Sequence, residues 1–320
     1  MVNLADMVSR AHHEAMLEQP VLRALAGARR VLIAGCGGGY DILGGVALRH
    51  ALVATGIDVE LASLSFCYLN GLDGAVQDRV VPNLYAVAGD AARDDAYCPE
   101  AHLAKLLGQR VWCFDKTGVR PLAAAYRALS SRLALDAIIL VDGGIDAVLR
   151  GDEISLGTPA EDLASLCAAT SLGLPCVLAC VGMTAELRDR ISHAQVFERI
   201  AELTREGGYL GAAALVPGTP ATDAYTAAVK AVFAGQARQK QSHVHKVILD
   251  ALAGSFGATA PHVWLSALAS MYWFFDAHVV ARTHRFLDDL RATDSIWDVG
   301  ARVEAARKAL PIREHAVIPI

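Results

Sequence analysis

Short apolar runs closed by glycine or an acid recur along the first two thirds of the chain, each followed by a stretch with apolar positions at helical spacing. RRVLIAG, at 29–35, is fed by two arginines and ends in glycine, the pattern of a buried parallel strand. Residues 42–54 then carry helical spacing, and VELASLSF at 59–66 is a second strand. Strand, glycine-rich turn, helix and strand make a βαβ unit. Further strands are expected at 110–114, 137–141, 175–181 and 209–215, with helices at 122–133, 160–172 and 193–206 between them. Six strands alternating with helices predict an α/β fold, a Rossmann-like doubly wound and mainly parallel sheet. A helical segment broken at Pro20 precedes it. Beyond Thr219 the pattern turns helical, over 221–235, 242–252, 278–290 and 297–310. The expectation is one domain over 1–320, with a core at 28–218 and a helical C-terminal flank at 219–320.

Composition changes this picture little. Hydrophobic residues make up 54% and charged residues 20%, the balance of a packed globular chain. A net charge of -5, with no Lys/Arg stripe carrying interleaved aromatics, argues against nucleic acid as a partner. No apolar run approaches the ~18 to 20 residues that span a bilayer. The first residues, MVNLADMVSRAHHEAML, lack the apolar core of a secretory signal. A cytoplasmic protein without a membrane partner is expected. Seven cysteines, odd in number and without a C-x-x-C pair, read as reduced thiols.

Chemistry is expected where loops leave the carboxyl ends of parallel strands. After the first strand stand Gly35-Cys36-Gly37-Gly38-Gly39-Tyr40-Asp41. Gly37, Gly38 and Gly39 let a ligand approach backbone N–H groups at a helix start, where a phosphate or carboxylate is favoured, although tight strand-to-helix packing also uses glycines. Asp41 serves either that ligand or the helix dipole. After the fourth strand comes the densest segment, DGGIDAVLRGDE at 142–153, followed by GTPAED at 157–162. Thr158, Pro159 and Glu161 fit a capping box and need no catalytic role. Asp142, Asp146 and Glu153 have no such explanation and are the candidate catalytic groups, with Gly143, Gly144, Arg150 and Thr158 as candidate ligand contacts. Carboxylates gathered in a crevice hold a divalent cation, act as general acid and base, or grip an amino or guanidino group. The sequence leaves these three open, and a divalent cation is the candidate cofactor.

The glycine loop resembles motif I of S-adenosylmethionine-dependent methyltransferases and, as GxGGG, dinucleotide-binding folds. Both need an acid at the end of the second strand to hold ribose hydroxyls, and this strand ends in Leu64-Ser65-Phe66. No G-x-S-x-G elbow or Walker A loop occurs. His193 reads as structural; His243 and His245 could flank a ligand but lack the i, i+4 spacing of a metal pair. Met271-Tyr272-Trp273-Phe274-Phe275 reads as core or as a contact between subunits of a homo-oligomer.

GCGGGYD, DGGIDAVLRGDEISLGTPAEDLAS, HAQVFERIAELTREGGYLG, SMYWFFD and VIPI together resemble, nearly end to end, a family of archaeal and bacterial proteins of unknown function. The resemblance implies a Rossmann-like α/β fold with a shared site at the two glycine loops, and it implies no activity. It assigns nothing to Met183-Thr184-Ala185-Glu186. The expectation is a small-metabolite enzyme binding an anionic or amino-acid-like ligand at the strand ends. The alternatives are a non-catalytic ligand-binding or regulatory protein and, further off, a methyltransferase or nicotinamide enzyme.

Overall fold

The structure, a computed structural model, describes residues 20–78, 81–260 and 263–314. The N-terminal helix expected before Pro20 and the closing VIPI lie outside the described residues. In chain order the strands are β1 (Arg30–Gly35), β2 (Asp58–Leu64), β3 (Ala75–Gln77), β4 (Leu84–Val87), β5 (Val111–Phe114), β6 (Ala137–Asp142), β7 (Cys176–Val181), β8 (Tyr209–Ala214), β9 (Gly257–Ala260), β10 (Val263–Leu265) and β11 (Met271–Asp276). The helices are α1 (Pro20–Ala24), α2 (Gly45–Ala54), α3 (Pro99–Leu107), α4 (Val119–Leu133), α5 (Pro159–Thr170), α6 (His193–Arg205), α7 (Pro220–Gly235), α8 (His243–Leu252), α9 (Ala277–Thr283) and α10 (Ile296–Ala309).

Nine strands form one sheet in the order β3-β4-β5-β2-β1-β6-β7-β11-β8. The six strands expected from the apolar runs all point the same way. β5, β2, β1, β6 and β7 pair in parallel, and β8 joins them in direction because it is antiparallel to β11, itself antiparallel to β7. Their order, third-second-first-fourth-fifth-sixth, is that of a dinucleotide-binding sheet with β11 slipped between the last two. The fold is Rossmann-like α/β, as expected.

The C-terminal flank is not purely helical, which corrects the expectation for 219–320. The aromatic run is β11, whose Phe275 is fully buried. It occupies the gap between β7 and β8, where both faces are covered and alternation therefore disappears. The helix expected at 278–290 also breaks, with α9 ending at Thr283 and a separate turn at Leu287–Leu290.

Two apolar cores flank the sheet. Side chains of α4, α5, α6, α9 and α10 pack one face, and those of α1, α2, α3, α7 and α8 pack the other. β1 and β6 lie side by side at the centre, with their connections running to opposite sides. That is the switch point where such sheets leave a crevice.

Candidate functional site

The alternation of β1, β6 and β7 places Ala34 and Cys36, Leu140 and Asp142, and Leu178 and Cys180 on the same face. At the carboxyl ends this yields a row of Cys36, Asp142 and Cys180 across three neighbouring strands. Asp142 pairs in register with Cys180, and the Cys36 N–H donates to Val141 O at 2.9 Å. Helix α5 comes down on this row, and its first turn carries Asp162, whose Oδ1 lies 3.5 Å from the Cys36 thiol.

Three strand-to-helix connections, after β1, β6 and β7, bring five carboxylates to the same point, and main-chain N–H groups hold most of them. Gly37 donates to Asp41 Oδ2 at 2.7 Å, Ala147 to Asp142 Oδ2 at 3.2 Å, Thr158 to Asp146 Oδ2 at 2.9 Å and Ile145 to Glu186 Oε2 at 2.9 Å. The glycines make room for these side chains. A Cβ at Gly37 would sit 2.5 Å from Asp162 Oδ1, and one at Gly143 would sit 2.6 Å from Asp41 Oδ1. Gly144 lies against Glu186 and Gly157 against Asp146.

Asp142, Asp146, Asp162 and Glu186 are 3%, 5%, 2% and 7% exposed, and no Lys or Arg pairs with them or with Asp41 among the described residues. Burial pushes the Asp41 carboxyl up to about 7, against the pull of the Gly37 N–H, and the Asp146 carboxyl up to about 6. Burial, and after it the neighbouring Asp146, also raises Asp142, Asp162 and Glu186. Ionised carboxylates without a counter-charge are costly in such surroundings, so the cluster retains protons or takes a cation. One ligand oxygen each from Asp142, Asp146 and Asp162 lies within 4.8 Å of the others, as does one ligand atom each from Cys36, Asp41 and Asp162.

Above the cluster opens a cleft of about 560 Å³. Its floor is Gly37, Gly38, Gly39 and Asp41; its walls include Phe66, Tyr97, Thr158 and the segment Lys240–Val244 at the start of α8. Asp41 faces this space, while the other four carboxylates are packed behind it. The Gly38 and Gly39 N–H groups have no hydrogen-bond partner among the described residues. The Gly37 N–H, expected to meet a ligand, is taken by Asp41.

A family model described as a protein of unknown function, DUF1152, matches residues 75–309. The chain belongs to this family. No curated protein and no solved structure matches it. In this DUF1152 chain the matched span takes in Asp142, Asp146, Asp162 and Glu186 and begins after the glycine loop and Asp41.

The acidic segment of this family member divides in two. Asp142 and Asp146 belong to the cluster, whereas Glu153, expected beside them, is engaged elsewhere. It accepts from the N–H groups of Arg150 at 3.1 Å and Gly151 at 2.9 Å and pairs with Arg313 at 3.0 Å. Arg150 faces Asp152 through two hydrogen bonds and also reaches Glu202. Both act as loop braces. The capping box expected at Thr158 does not form either. The Thr158 N–H goes to Asp146, the Thr158 side chain caps nothing, and Glu161 pairs with Lys116 at 3.2 Å.

Asp162 and Glu186 were not singled out as site residues from the sequence. TPAED reads as a helix start, which hid Asp162, and Glu186 sits in a loop without a motif. His245 is a structural link, accepting from Tyr225 Oη at 2.8 Å and donating to Tyr40 O at 2.9 Å. His193 lies 3.3 Å from Met183 O. The acid required for ribose is missing at this end of β2: Asp58 pairs with Arg30 at the opposite end, and Glu60 accepts from the Trp112 indole. All seven cysteines are free and buried. Among the described residues no helix is long and apolar enough to cross a membrane.

Proposed function

We propose that the cleft is the active site of an enzyme that uses a divalent cation, held by Asp142, Asp146 and Asp162, to act on a small anionic metabolite. The observation that carries this reading is the meeting of three carboxylates, each at most 5% exposed, with oxygens within 4.8 Å and no basic partner among the described residues. Of the roles open to such a cluster, an ion fits best. None of the three residues lines the cleft and each is at most 5% exposed, which favours a small ion over an amino or guanidino group of a substrate as their partner. All-oxygen donors suit hard cations such as Mg²⁺ and Mn²⁺.

The ligand then sits in the cleft, with a phosphate or carboxylate against the Gly38 and Gly39 N–H groups and near Lys240 at the rim. A cation beneath it supplies the charge that an anion needs beside so many acids. Asp41 lines the cleft, so of the five clustered carboxylates it is the one a ligand there meets, and without a bound ion burial raises its carboxyl to about 7.

Protein stripped with a chelator should gain a few degrees in melting temperature with Mg²⁺ or Mn²⁺ in large excess over Kd, equivalent to ~2.7 kcal/mol at a hundredfold excess. A further gain is expected from phosphorylated or carboxylated metabolites only when the cation is present. Turnover of such a ligand identifies an enzyme; binding alone identifies a regulatory module. Indifference of the melting temperature to every divalent ion would remove the proposal.

A further inference from the structure

The donors at the strand ends form two groups that share one residue. Asp142, Asp146 and Asp162 are the first; Cys36, Asp41 and Asp162 are the second. We propose that the centre is dinuclear, with the Asp162 carboxylate spanning two divalent ions, the second of them held by the Cys36 sulfur and by Asp41. This rests on the cation reading above and extends it in ion number and metal class.

Asp162 carries the inference. It is 2% exposed, and its sole hydrogen-bond partner among the described residues is the Cys36 thiol at 3.5 Å, a weak donor. Asp41, Asp142, Asp146 and Glu186 are each braced by a main-chain N–H, but no N–H reaches Asp162. Among the described residues nothing but that thiol donates to it. Asp162 is the residue common to both donor groups, and a carboxylate has two oxygens with which to serve two ions.

The second group is more than a gathering of acids, because it contains sulfur. Cys36 is fully buried and free, and its single S–H proton has two acceptors within reach, Val141 O at 3.2 Å and Asp162 Oδ1 at 3.5 Å. On metal binding the S–H proton leaves to solvent and the sulfur–metal bond forms from the thiolate. One sulfur with two carboxylates favours a borderline ion such as Zn²⁺, while the all-oxygen group favours Mg²⁺ or Mn²⁺. Charge supports two ions as well: the five donors carry five negative charges when ionised, and two divalent ions return four positive ones. Because Asp41 lines the cleft, the sulfur-held ion is the one a substrate in the cleft would meet.

Metal content after chelation, reloading with Zn²⁺ and exhaustive dialysis tests this directly. Wild type should retain two ions per chain, Cys36→Ser one, and Asp162→Asn fewer than one. A single ion in wild type, or none, would overturn the dinuclear centre; the cation reading falls only if the melting temperature is also indifferent to Mg²⁺ and Mn²⁺. Two ions in Cys36→Ser would overturn the role of sulfur. Loading wild type with Co²⁺ gives a second readout that does not depend on how well the variants fold. Thiolate-to-cobalt charge-transfer absorption should appear in the near ultraviolet, and its absence from loaded wild type would exclude Cys36 as a ligand.

Discussion

Asp146 and Glu153 belong to one acidic stretch, both are buried, and they should respond oppositely to loss of charge. Asp146 sits among other carboxylates, with its carboxyl raised by burial to about 6. In Asp146→Asn the amide oxygen can still accept from the Thr158 N–H while one repulsive charge disappears. In chelator its stability should equal wild type or exceed it by up to ~3 kcal/mol, and the rise induced by Mg²⁺ should vanish. Glu153→Gln breaks the pair with Arg313 and should cost ~2 to 3 kcal/mol while the cation response persists. Melting curves of both variants with and without Mg²⁺ check this. A fall in Asp146→Asn as large as that in Glu153→Gln, with its cation response intact, would make Asp146 a structural acid. The same pair shows what was legible at this scale. Asp142, Asp146 and the glycines announce themselves because they follow an apolar strand directly. Glu153 looks equivalent from the sequence because its partner, Arg313, lies 160 positions away. Asp162 was hidden by chemistry it shares with ordinary helix starts.

Among the elements, the six parallel strands were readable because burial on both faces writes continuous apolar runs that end in turn residues. β3, β4, β9 and β10 have three or four residues each, too few for a period to show. β11 is long enough, yet its four central residues are all aromatic and show no polar alternation, so nothing local marks it as a strand. Its place in the sheet comes from pairing on both edges, with β7 and with β8. β8 has no other partner in the sheet, so β11 is its link to the parallel strands. Phe275 is fully buried in β11, and its ring packs near Tyr209 of β8 at 5.8 Å between centroids. Phe275→Ala should therefore cost about 3 to 5 kcal/mol, read as a lower denaturant midpoint in urea. A loss below ~1 kcal/mol would show that the aromatic run contributes little to holding the sheet together.

For the molecule as a whole, two buried histidines on opposite faces of the sheet tie global stability to pH. His245 links α8 to Tyr40 of the glycine loop, and His284 packs on Phe286 across the sheet with ring centroids 4.6 Å apart. Burial lowers His245 to about 4; burial, and after it Arg199, lowers His284 to about 3. Both are near 6.5 when unfolded, so as pH falls through 6.5 the unfolded chain takes up protons that the folded chain refuses. The stability they contribute is present above pH 6.5 and is lost progressively down to pH 4, at up to ~1.4 kcal/mol per pH unit for each histidine. Asp41 and Asp146 act in the opposite sense over part of this range, because their raised carboxyls take up protons in the folded state first. The wild-type curve therefore mixes both effects, and the informative quantity is its difference from a histidine variant. His245→Gln can still accept from Tyr225 and donate to Tyr40, and it cannot be charged. Between pH 6.5 and 4.5 its unfolding free energy in urea should fall less steeply than wild type, by about 1 kcal/mol per pH unit. His284→Gln should do the same, and because the two sites lie on opposite faces the double variant should show the sum. Parallel curves for wild type and the double variant would mean that neither histidine is held neutral by the fold.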